Sequence, residues 1–169
     1  YGAHVIYSDD HGKTWRLGGA IRPDMNEAQV VELFDGKGSL LINMRSYAGR
    51  NLRAQAISTD SGLNWSSPRD ATQLVDSVCQ GSIIRHASGV ILFSNPASAT
   101  RRVNLTVRAS SDHGETWHTV TILAPGPSAY SCLVCLSETE AGCLFERGRE
   151  NVDERISFAR FTVPQTFSG

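Results

Sequence analysis

Ser8-Asp9-Asp10-His11-Gly12-Lys13-Thr14-Trp15 returns as Ser58-Thr59-Asp60-Ser61-Gly62-Leu63-Asn64-Trp65 and again as Ser110-Ser111-Asp112-His113-Gly114-Glu115-Thr116-Trp117. All three fit Ser-x-Asp-x-Gly-x-(Thr/Asn)-Trp, with glycines separated by 50 and then 52 residues. A second series of turn pairs runs between them, Asp35-Gly36, Ser88-Gly89 and Ala141-Gly142, with glycines 53 and 53 residues apart. Two interleaved series at one period mark a repeat architecture.

Between the turns the pattern is that of short strands. Ala28–Phe34 and Ser39–Ser46 are apolar, and Asn51–Ile57 alternates apolar with polar residues. The next unit repeats this with Ser82–His86, Val90–Ser94, Val103–Ala109 and Thr119–Leu123. A third begins at Ala129–Ser137 and continues through Cys143–Glu146 and Arg155–Val163. Four antiparallel strands per unit of about 50 residues, with no helical periodicity, predict an all-β propeller. Residues 1–24 are expected to end one blade, 25–76 and 77–127 to form two more, and 128–169 to begin an incomplete last one. The repeated turn has a structural reading: Asp10, Asp60 and Asp112 bond backbone N–H groups, the glycine supplies a positive φ, and the Trp packs between neighbouring sheets.

Closed propellers have four to eight blades, whereas 169 residues supply about three and a quarter units. The chain is therefore expected to be about half of a larger propeller, with open edges when alone. Composition excludes other classes. Lys plus Arg number 16 against 17 Asp plus Glu, so the net charge of -1 offers no field for nucleic acid. No apolar run approaches the roughly 20 residues of a transmembrane helix. Cys79, Cys132, Cys135 and Cys143 lie in apolar strand-like segments and are expected to be buried free thiols. The histidines show no metal-ligand spacing, so neither metal nor cofactor is expected.

Beyond the turns, Met25-Asn26-Glu27-Ala28-Gln29-Val30-Val31-Glu32-Leu33, Phe93-Ser94-Asn95-Pro96-Ala97, Arg102-Val103-Asn104-Leu105-Thr106-Val107-Arg108 and Pro125-Gly126-Pro127-Ser128-Ala129-Tyr130-Ser131 resemble stretches of exo-α-sialidases, the animal lysosomal and bacterial members above all. The three turns resemble that family's Asp boxes. The resemblance covers most of the chain and implies the C-terminal half of a six-bladed catalytic propeller acting on terminal sialic acids of glycoproteins, glycolipids or oligosaccharides. It implies that Tyr130 is the nucleophile and Glu27 its paired carboxylate. Arg45 and Arg102 correspond to two members of an arginine triad, Gln80 to a substrate contact, and Glu146 to a carboxylate that orients the remaining arginine. That arginine and the acid/base Asp belong to the family's N-terminal half, and nothing here resembles their surroundings. Two sequons, at Asn64 and Asn104, fit a lysosomal or secreted setting, and Asn104 resembles a glycosylation position of the lysosomal member.

The blade pattern gives these residues a common location. Glu27, Gln80 and Tyr130 precede or open first strands, Arg45 and Glu146 close second strands, and Arg102 opens a third. In an antiparallel blade all six emerge on one rim, opposite the repeated turns. Guanidinium groups suit a sugar bearing a carboxylate on its anomeric carbon. A neutral phenol approaches that carbon without the repulsion a carboxylate nucleophile would meet. The alternative class is a non-catalytic propeller that binds a glycan or protein through the same rim. Such a module needs the arginines but not the Glu27 and Tyr130 pair.

Overall fold

Each repeat supplies short apolar stretches separated by turns, and these pair as antiparallel strands. A computed structural model of the chain describes residues 1–164. β1 (Ala3–Tyr7) pairs with β2 (Arg16–Ile21). β3 (Met25–Glu32), β4 (Leu40–Ser46), β5 (Leu52–Ser58) and β6 (Arg69–Val75) form a four-stranded sheet in sequence order. β7 (Ser82–Arg85), β8 (Ile91–Pro96), β9 (Val103–Ser110), β10 (His118–Cys135), β11 (Glu140–Arg147) and β12 (Arg155–Thr162) follow as one continuous ladder of six. The described residues contain no helix, and thus none able to cross a membrane. The molecule is an arc of propeller blades.

The ladder of six departs from the predicted pattern. Two strands with a break between them were expected around Pro125-Gly126-Pro127, whereas β10 runs through all three residues. Its partner changes there: residues up to Pro127 pair with β9, and residues from Ser128 pair with β11. Proline lacks the ladder N–H, and a changeover of partner is where that donor is least needed. Residues 165–169 of the last expected unit lie outside the described residues.

Three apolar layers join the sheets. One sets Ala3 and Ile21 against Met25, Ile42 and Met44. A second joins Val31, Leu33 and Leu41 to Ile83, Phe93 and Trp117. The third packs Leu92, Leu105 and Val107 against Leu133, Cys143 and Phe145.

The three repeated turns are copies of one another. Ser8, Ser58 and Ser110 donate through Oγ to Oδ1 of Asp10, Asp60 and Asp112, each at 2.8 Å. The same aspartate oxygen accepts from the backbone N–H of residues 14, 64 and 116 at 2.8, 2.8 and 2.9 Å. His11, Ser61 and His113 lie at φ 58°, 61° and 63°, each followed by a glycine at 84° or 85°. The tryptophans differ in setting. Trp117 is buried on the preceding sheet at 6% exposure, Trp65 is half-buried on the β1–β2 pair, and Trp15, with no preceding sheet in this chain, is 59% exposed.

Two further expectations need correction. Gly142 lies inside β11 rather than in a turn, and an added Cβ would come within 2.5 Å of the Phe158 ring, so it provides space and not a positive φ. Cys79 and Cys143 are buried free thiols, but Cys132 and Cys135 are exposed. Cys132 alternates outward between the buried Ser131 and Leu133 on β10, and Cys135 is the last residue of that strand.

Candidate active site

The rim opposite the repeated turns carries the polar residues singled out above. Glu27 is the third residue of β3, Arg45 the penultimate residue of β4 and Glu146 the penultimate residue of β11. Arg102 directly precedes β9, Gln80 stands two residues before β7, and Tyr130 lies three residues beyond Pro127, where β10 changes partner. Alternation along β10 buries Ala129 and Ser131 and turns Tyr130 outward.

Four of the six side chains meet. The Tyr130 hydroxyl donates to Glu27 Oε1 at 2.8 Å, across 103 residues of sequence, and a terminal N–H of Arg45 donates to Glu27 Oε2 at 2.7 Å. The Arg102 guanidinium carbon stands 5.8 Å from the Tyr130 ring centroid. It makes no hydrogen bond or ion pair with the described residues, so its N–H donors face the rim unspent. Arg45 likewise keeps donors beyond the one given to Glu27, and its buried Nε has no partner among the described residues.

The remaining two residues act on the backbone around Tyr130. Glu146 Oε2 accepts from the Tyr130 N–H at 3.1 Å. The Gln80 amide pairs twice with Ser131: its Nε2 donates to the Ser131 carbonyl and its Oε1 accepts from the Ser131 N–H, both at 3.0 Å. An apolar cleft of about 250 Å³ adjoins them, lined by Tyr130, Cys132, Leu144 and Ile156 among others.

Burial pushes the Glu27 carboxyl up, but the hydrogen bonds from Arg45 and Tyr130, with the Arg45 charge, outweigh it and hold the group below the ordinary value. The Tyr130 phenol is raised, first by its hydrogen bond to Glu27 and then by burial. At rest the proton therefore sits on the phenol, already aligned with an ionised acceptor. This arrangement can make a neutral nucleophile that loses its proton as it attacks.

Sequence reading missed Arg53. An isolated arginine is ordinarily solvated, yet Arg53, on β5 beneath the rim, is 1% exposed. Its Nε donates to Asn43 Oδ1 at 2.8 Å, and one terminal N–H group reaches the Cys79 carbonyl at 2.6 Å and Asp76 Oδ2 at 3.3 Å. The available signal was its position inside the apolar stretch Leu52-Arg53-Ala54.

Repeated turns on one rim and a tyrosine, glutamate and arginine cluster on the other define a BNR-type β-propeller. A family model described as BNR repeat-like domain matches residues 1–143, and the chain belongs to that family. Its relatives are sialidases. Over 152 residues it is 40% identical to a sialidase of Micromonospora viridifaciens, covering 85% of this chain and 23% of that protein. Over 184 residues it is 32% identical to Sialidase-2 of Cricetulus griseus, covering 98% of this chain and 47% of that one. Among solved structures it matches the Hadza microbial sialidase Hz136 with a TM-score of 0.80 at 33% identity, covering 94% of this chain and 31% of that one. The chain thus spans between 23% and 47% of the length of these curated relatives.

Proposed function

We propose that this chain is the nucleophile-bearing half of a retaining exo-α-sialidase, which removes terminal sialic acids from glycoproteins, glycolipids or oligosaccharides. The observation that carries this reading is the hydrogen bond between Tyr130 and Glu27, brought together from opposite parts of the chain on the rim where Arg102 stands unpaired. A binding module would need the cations but has no use for a phenol pre-aligned on an ionised acid.

In the proposed reaction Arg102 and Arg45 hold the sugar carboxylate, and the Tyr130 oxygen attacks the anomeric carbon while its proton passes to Glu27. The bond to the leaving oxygen breaks, giving a glycosyl-tyrosine. A tyrosine nucleophile is the recognised departure of sialidases from the two-carboxylate rule of glycosidases. Water then attacks from the face that the leaving group vacated, giving its proton to the acid/base group on the rest of the propeller, while the bond to the Tyr130 oxygen breaks and Glu27 returns the proton to the phenol. Protonation of the leaving group and a third guanidinium come from the rest of the propeller, so residues 1–169 alone are expected to leave a fluorogenic sialoside intact.

Of the two sequons, Asn64 donates its side-chain amide to Asp60 Oδ2 at 2.7 Å inside the repeated turn, where a bulky glycan would crowd the loop. Asn104 is therefore the preferred site for an N-glycan in a lysosomal or secreted setting. The decisive experiment replaces Tyr130 in the full-length polypeptide. Tyr130→Phe should cut turnover at least about 1000-fold, as loss of a nucleophile does, while sialic-acid binding stays within a few-fold. The wild-type enzyme should release the α-anomer first, read by proton NMR. Unchanged turnover in Tyr130→Phe would sink the assignment.

A further inference from the structure

Tyr130 is 37% exposed, so packing alone does not fix the phenol. Its position depends on the backbone of β10, which is held from behind. The Gln80 amide grips both polar groups of the Ser131 backbone, and Ser131 Oγ also lies 2.8 Å from Ser94 Oγ on β8. Gln80 lies near the end of a short connection, residues 76–81, between β6 and β7.

That connection is built under strain. Val78 has φ 58°, a left-handed conformation in which a β-branched residue is a genuine outlier, maintained only where the surroundings over-determine it. Here they do. Asp76 is fully buried, and its Oδ1 accepts from the Cys79 N–H and from Asn95 Nδ2, each at 3.3 Å. Arg53 closes the loop from below through Asp76 Oδ2 and the Cys79 carbonyl. Directly after Gln80, a Cβ on Gly81 would lie 2.7 Å from the buried Phe93 ring, so the connection is pressed against β8.

We infer that residues 76–80 form a strained buckle, locked by the buried Arg53 guanidinium, whose working end, Gln80, is a positioning residue that holds the Tyr130 phenol on Glu27. This rests on the reaction proposed above and assigns Gln80 to the nucleophile's strand rather than to the sugar. Two carriers of the site, β3 with Glu27 and β10 with Tyr130, lie on different sheets. The buckle ties them through Arg53, which shares a sheet with Glu27, and Ser131, which adjoins Tyr130. Arg53 also acts on Glu27 as a nearby buried cation. The other groups facing Glu27 are Arg45 from β4 and Tyr130 from β10, with Arg102, Cys79 and Glu146 around the phenol.

The test uses the full-length enzyme and separates position from contact. Gln80→Leu leaves every buried charge paired. It should fold, with a Tm lowered by several degrees for the two Ser131 backbone groups left unpaired, and lose about 10- to 100-fold in kcat, the usual effect of a misplaced reacting group, while KM changes by less than about threefold. A raised KM with unchanged kcat would place Gln80 on the substrate, and no change in either would show that the clamp is idle; both overturn the inference. Arg53→Lys keeps the charge but loses the planar fork. It should lower kcat without moving the acidic limb of the pH profile, whereas Arg53→Met should also move that limb upward. Should Arg53→Met not fold, Gln80→Leu still decides. Tyr130→Phe keeps the two levels apart: full activity there defeats the sialidase reading, whereas a dead Tyr130→Phe beside a wild-type Gln80→Leu defeats only the buckle.

Discussion

Glu27 is held by two donors of different kinds, a guanidinium and a phenol, and only the first carries charge. The pH behaviour follows. Glu27 must be ionised to take the Tyr130 proton, and its partners keep it below the ordinary carboxylate value, so activity should persist on the acid side of that value. Arg45→Gln removes the charged partner, and the acidic limb of kcat/KM should move to higher pH; a limb that stays put would mean that Glu27 is not the titrating base. Val78 offers a second test. Its left-handed backbone costs about 1–3 kcal/mol, whereas glycine costs only about 0.5–1 kcal/mol in chain entropy. Val78→Gly should therefore leave stability unchanged or raise it by about 1 kcal/mol, measured from the urea midpoint. Legibility at this scale was uneven. Glu27, Tyr130, Arg45 and Arg102 were singled out by the resemblance to exo-α-sialidases, and the blade pattern assigned them to one rim. Arg53 was not, because its burial is compensated by Asn43, Asp76 and the Cys79 carbonyl, groups 10 to 26 residues away that no local pattern announces.

At the level of elements, the repeated turns could be read before any coordinates because every bond in them is local. Asp10 reaches only as far as residue 14, and Asp60 and Asp112 reach equally short distances. What those turns are worth depends on what their tryptophan covers. Asp112→Ala should lower Tm most, by about 3 °C for a cap-like loss near 1 kcal/mol in a chain of this size. Asp10→Ala, whose Trp15 covers little, should lower it least; the reverse order in thermal unfolding would contradict the packing described. These carboxylates also set the acid response. Asp10 is lowered to about 2, chiefly by Thr14, and Asp60 and Asp112 are lowered as well. A depressed folded-state value adds stability above the unfolded value of about 3.9 that is lost as pH falls toward the folded one. The urea midpoint should thus drop between about pH 4 and about pH 2. Gly142 was misread because glycine signals both a turn and a need for space, and only the neighbouring Phe158 decides between them.

For the whole molecule, the governing fact is that both ends of the arc present apolar surface. Leu17 is 75% exposed beside Trp15 at one end, and Phe158 is 53% exposed beside Ile156 at the other. The 169-residue chain should therefore self-associate in a concentration-dependent way, and Leu17→Lys with Phe158→Lys should suppress it, as sedimentation would report. A monomer at all concentrations would show that these faces need no cover. Cys132 shares that open face with its cross-strand partner Leu144, whereas Cys135 is exposed as the last residue of β10; the apolar sequence around them announces neither. The shared strand β10 has a mechanical consequence. Because one covalent ribbon is woven into the ladders on both sides of Gly126, those blades turn together as a single plate. Between β6 and β7, by contrast, the main chain crosses only once, through Val78, and the rest of the joint is side-chain packing and bonds such as Gln29 to the Ile83 N–H and Gln73 to the Trp117 N–H. Relative movement of the two sheets is thus expected at that seam rather than within the ladder, and it is the seam that the Tyr130–Glu27 hydrogen bond spans.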